Sequence, residues 1–185
     1  MRTTTGAIVW GTAFATVTAA ACLSLTTPAA AQDDGLALVA CTLPSSETSD
    51  FSPALTNSPQ TSTVTVNTHY SGCLAPTEPT LTSGSRSGTF TRDTSCLDLL
   101  GGGTRTFTIT WDNGKTSTIT GQTVANVVGA VLTSTLTGTV TSGLFEGGLV
   151  VQQVISPATD ITLCTLGLGT VSHLDSAVIL SITDL

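Results

Sequence analysis

Between residues 130 and 141 the chain alternates with a period of two. Ala130, Leu132, Leu136 and Val140 take even positions, and Thr133, Thr135, Thr137, Thr139 and Thr141 take odd ones. Successive side chains of an extended strand point to opposite faces, so this segment predicts a strand with its leucines in a core and its threonines toward water. The same period leads into Trp111-Asp112-Asn113-Gly114-Lys115, where Phe107, Ile109 and Trp111 share one face and Thr106, Thr108 and Thr110 the other. Asn-Gly tolerates the positive φ angles of tight hairpin turns, so residues 104–111 and 116–124 are expected to form a half-buried antiparallel ribbon.

Apolar residues are nowhere spaced at threes and fours over a sustained stretch, so helix is expected to be nearly absent. Further strands are expected at 36–42, 61–70, 81–92, 144–155, 161–166 and 177–182. The last is apolar almost throughout and is expected deep between neighbours. Residues 44–60, with Pro44, Pro53 and Pro59, are expected to form a long crossing loop. About eight short strands separated by turn signals predict an all-β fold, and an antiparallel β-sandwich, immunoglobulin-like or Greek-key, is preferred to a barrel.

The N-terminus carries Arg2, an apolar stretch over 7–25, Pro28 and the small-residue run Ala29-Ala30-Ala31. This is the order of a secretory signal peptide. Residues 1–31 are therefore expected to be cleaved, leaving 32–185 as a single secreted, extracellular domain. Cys22 would leave with the signal. Cys41, Cys73, Cys96 and Cys164 then remain, even in number and in a compartment that keeps thiols oxidised, so structural disulfides are expected. No C-x-x-C pair and no zinc-ligand spacing is present, so no metal site and no cofactor is expected. Four cysteines allow three pairings. If strands alternate up and down, Cys96 and Cys164 share one end of the domain and Cys41 pairs with Cys73 at the other.

The formal net charge is −7. Beyond residue 31 the cations are Arg86, Arg92, Arg105 and Lys115, against twelve carboxylates. Such a balance repels polyanions and argues against nucleic acid as a partner. An anionic membrane surface is disfavoured for the same reason, and 177–182 is too short to span a bilayer, so no membrane insertion is expected after signal cleavage.

Phe51-Ser52-Pro53-Ala54-Leu55-Thr56-Asn57-Ser58-Pro59, the Trp111-to-Thr118 hairpin and Leu136-Thr137-Gly138-Thr139-Val140-Thr141-Ser142-Gly143 resemble segments of a group of small secreted actinobacterial proteins, four-cysteine β-domains with no assigned activity. The resemblance implies export and a β-rich fold, and transfers no functional residue. In composition alone the chain is also similar to the acidic apoproteins of enediyne chromoproteins, whose bridges close shorter loops.

Candidate chemistry is sparse. Ser172-His173-Leu174-Asp175 contains the residue types of a hydrolase, but adjacent strand residues face opposite ways, so Ser172 is poorly placed to meet His173. His69 is the only other imidazole. Gly84-Ser85-Arg86-Ser87-Gly88 puts Arg86 where a nucleophile elbow needs serine. Asp93, Asp98, Asp112, Glu146, Asp160 and Asp175 could supply a glycosidase pair, but all fall in or beside predicted turns, where carboxylates cap the backbone. Asp93 with Asp98, or Asp112 with Asn113, makes a weak calcium signature. Trp111 and Tyr70 are the best placed aromatics for sugar binding, with core packing favoured for both. No catalytic residue is therefore assigned, and the ligand-binding residues are unknown.

The expected function is a non-catalytic extracellular binding or surface-associated module whose partner is a protein, glycan or small molecule. The alternatives are a small-ligand carrier with an inter-sheet cleft and an undetected secreted hydrolase.

Overall fold

The computed structural model describes residues 36–184; the signal expected at 1–31 lies outside the described residues. Eight antiparallel strands follow in chain order: β1 (Ala37–Leu55), β2 (Gln60–Leu74), β3 (Gly84–Thr94), β4 (Gly103–Trp111), β5 (Thr116–Val128), β6 (Val131–Gly143), β7 (Leu149–Pro157) and β8 (Val171–Thr183). Each pairs with the next, and β8 pairs with β1 from Ala37↔Thr183 to Leu55↔Val171. The sheet therefore closes into an up-and-down barrel. This corrects the expected β-sandwich, because a sandwich keeps two separate sheets with free edges, whereas β1 here joins both β2 and β8.

The segment that makes closure possible is the one expected to be a crossing loop. Residues 44–55 belong to β1, whose pairing with β2 shifts register between Cys41 and Ser46 and whose pairing with β8 shifts there and again between Asp50 and Leu55. Pro44 and Pro53 fall within these interruptions, where the ladder does not ask for the amide hydrogen that proline lacks. Bulges also bend a strand and increase its twist, which lets 19 residues follow the curvature of a barrel.

The 161–166 expectation is corrected as well: α1 (Thr159–Thr165) is a short helix whose buried residues, Ile161 and Cys164, lie three apart on one face. An apolar run this short does not separate strand from helix by period alone. In β8, Val178, Leu180 and Ile182 are buried while Ile179 is partly exposed, so this strand has one wet face instead of being deep on both.

The outer faces carry threonine ladders, with Thr63 opposite Thr91, Thr65 opposite Thr89, Thr106 opposite Thr120 and Thr108 opposite Thr118, each pair within 3.0–3.2 Å. Inside, the apolar residues form two separate clusters. One is centred on Tyr70, Trp111, Ile119 and Leu180 near the start of β1. The other, near the end of β1, contains Phe51, Leu55, Leu132 and Ile161. Gly84 lies flat against Trp111: a Cβ there would stand 2.6 Å from the indole ring.

Each cluster contains one disulfide. Cys41 is bonded to Cys73 across the β1–β2 register, and Cys96, in a 3-10 turn at Cys96–Leu100, is bonded to Cys164 of α1. These are the pairs that alternating strands place at opposite ends.

Candidate functional site

Between the two apolar plugs the barrel is hollow. A cavity of 690 Å³ receives side chains from all eight strands, within the range of about 300–1,000 Å³ common for small-molecule sites. It opens through a slit between β3 and β4. Whereas β2 and β3 pair without interruption from Gln60↔Thr94 to Tyr70↔Gly84, β3 and β4 pair only at Gly84↔Trp111 and Ser85↔Thr110. Beyond Ser85 the two strands part. The connection between them is held elsewhere, since Cys96 is bonded to Cys164 and its amide donates to the Thr56 carbonyl at 2.9 Å. A shallow outer groove shares Arg86, Ser87 and Thr108 with the cavity.

Strand alternation determines what faces the slit. On β3, Ser85, Ser87, Thr89, Thr91 and Asp93 point out, which leaves Arg86, Gly88, Phe90 and Arg92 on the inner face. On β4, Arg105 is in phase with Phe107, Ile109 and Trp111. Three of the four described cations thus line the lumen of an acidic chain. A Cβ on Gly88 would meet nothing within 4 Å, which marks open space beside it.

Of these arginines, Arg86 is the one held in an ion pair. Its Nη2 donates to Glu47 Oε2 at 2.6 Å, its Nε donates to Thr68 Oγ1 at 2.8 Å, and its guanidinium carbon lies 4.0 Å from the centre of the Phe107 ring. Thr68 in turn donates to Glu47 Oε2 at 2.6 Å. A largely buried ion pair of this kind is helped by the added hydrogen bonds from Thr68 and to Thr68, which link both charged groups. Tyr70 donates to Gln152 Oε1 at 2.8 Å at the cavity floor. Burial pushes the Tyr70 hydroxyl well above its usual range, so it remains a neutral donor.

Arg92 and Arg105 are different. Arg92 lies 5.4 Å from the Phe90 ring, and neither guanidinium forms an ion pair among the described residues. Thr123, 5% exposed and part of the cavity lining, has a hydroxyl with no hydrogen-bond partner.

The residues singled out from sequence are placed elsewhere. His173 lies on the outer face between two carboxylates, with Nδ1 2.6 Å from Asp50 and Nε2 3.1 Å from Asp175. Those hydrogen bonds raise its pKa, and in the protonated ring both nitrogens donate to the flanking carboxylates. His69 is exposed beside the outer groove, opposite Ser46. Asp98 accepts from the Ser95 amide and hydroxyl at 2.7 Å and Asp112 from Thr82 and Ser83, and these bonds hold both carboxyls below their ordinary range. Asp93 accepts from Thr61. Trp111 and Tyr70 are core residues, 2% and 0% exposed. Among the described residues no group of three or more His, Cys, Asp and Glu side chains is placed to hold a metal ion, and no helix is long and apolar enough to cross a membrane.

The fold and site define a closed eight-stranded antiparallel barrel with a side-opening lumen of mixed polar and apolar lining. No family model, curated protein or solved structure matches the chain.

Proposed function

We propose that the domain is a secreted, non-catalytic carrier that holds a small molecule inside the barrel. The observation that carries this proposal is the cavity between the two apolar plugs, open to solvent where β3 and β4 stop pairing. Barrels of eight strands have interiors that side chains either fill or leave free for one small ligand, and this interior is not filled. The lining supports the proposal further: Val66, Leu132, Leu136 and Val154 supply apolar wall, and Gln152 and the hydroxyls supply a few polar contacts. Export, proposed from the signal at 1–31 and consistent with two disulfides, would place such a carrier where the ligand is met outside the cell.

The test is binding of the uncharged apolar probe N-phenyl-1-naphthylamine to residues 32–185, read as fluorescence enhancement. The expected result is saturable binding at one site, lost in Gly88→Trp and in Val66→Trp while the thermal unfolding transition persists. Undiminished binding in both folded variants would overturn the lumen as the site.

A further inference from the structure

Resting on the lumen as the ligand site, we propose that the ligand is an amphipathic organic anion. Its acidic group would sit at the slit between Arg92 and Arg105, and its apolar body would lie along Val66, Leu132, Leu136 and Val154. Three guanidiniums and one carboxylate line the cavity, and that carboxylate, Glu47, is already taken by Arg86 and Thr68. Two guanidiniums, Arg92 and Arg105, are therefore left without a direct ion pair, feeling Asp98 and Glu47 only at longer range, on the inner face of a chain whose net charge is −7.

Placing like charges together on a partly desolvated surface costs free energy, and an acidic ligand would remove that cost. Partial burial and the neighbouring Arg92 and Arg86 charges hold the Arg105 guanidinium below its ordinary pKa, against a smaller opposing pull from Glu47. Arg105 stands opposite Gly121 and diagonal to Thr123, so the unpartnered Thr123 hydroxyl is in the same neighbourhood. Arg92 is steadied on its other side by the Phe90 ring. A guanidinium presents a planar fork of donors that matches a carboxylate, sulfate or phosphate edge, which a lysine would not.

The experiment is isothermal titration of residues 32–185 with dodecanoate, dodecanol and dodecyltrimethylammonium, which share a chain and differ in head group, each below its critical micelle concentration. Charge-assisted hydrogen bonds predict that dodecanoate binds about 10- to 100-fold more tightly than dodecanol, with the ammonium weakest. In Arg105→Ala and Arg92→Ala the advantage of dodecanoate should collapse while dodecanol binding, which also reports an intact fold, persists. Arg105→Glu should reverse the preference toward the ammonium. Equal binding of the three ligands would overturn the anion assignment and leave the lumen site standing. Binding of none of them would overturn both.

Discussion

At the residue scale the interior is organised by Glu47, Arg86 and Thr68, which close a hydrogen-bonded triangle beneath the slit. Removing one partner strands the other charge inside the barrel. Glu47→Ala or Arg86→Ala is expected to lower stability by about 3–5 kcal/mol, measured by denaturant unfolding. His173 makes a separate prediction. Its folded-state pKa is raised, so the stability it contributes with Asp50 and Asp175 is present below its ordinary pKa of 6.5 and lost as pH rises through the higher folded value. A two-dimensional NMR titration should find His173 above 6.5, and Asp50→Asn should bring it down; an unchanged value in Asp50→Asn would contradict the contact. Arg105 was legible in the sequence, because it lies two residues before Phe107 on the face assigned to the core. The same parity places Arg86 and Arg92 with Phe90. The chemistry-bearing types at turns and strand ends, His173, Asp98 and Asp112 among them, instead cap the backbone or decorate the outer wall.

At the element scale the decisive feature is the short β3–β4 ladder. Strand identity and facing followed from local alternation in β4, β5 and β6, where the one register shift, between Thr118 and Ile119 against β6, lies close to a strand end. Where the β3–β4 pairing ends does not, because it depends on how Cys96–Leu100 is anchored to a helix 68 residues away in sequence. In β1 the prolines read as breakers, and only the bulged registers to both neighbours show why they are tolerated. The Cys96–Cys164 bridge pins the connection between the slit strands, and its loss should cost on the order of 2–5 kcal/mol. Hydrogen exchange in Cys96→Ser/Cys164→Ser should accelerate over 93–103 more than over 60–74. The reverse order would show that the bridge does not hold the slit.

At the scale of the whole molecule, a sandwich and a barrel are built from the same alternating strands. They differ only in whether the first strand meets the last. That contact, Ala37↔Thr183 through Leu55↔Val171, lies between the two ends of the described chain, and no local pattern encodes it. Closure removes exposed sheet edges everywhere except where β3 and β4 part, so the barrel exposes unpaired strand edges at the mouth of its lumen. Two apolar plugs stabilise the ends, two disulfides staple them, and between them lies a hollow middle of mixed polar and apolar lining, the proposed ligand site.

The most direct test of that account is amide chemical-shift mapping of residues 32–185 with dodecanoate. The predicted shifts cluster on Gly88, Arg92, Arg105, Thr123, Leu136 and Gln152, contributed by five strands that meet at the lumen. Shifts confined to the outer threonine ladders, or to the exposed Leu166 and Leu168 beyond α1, would contradict it.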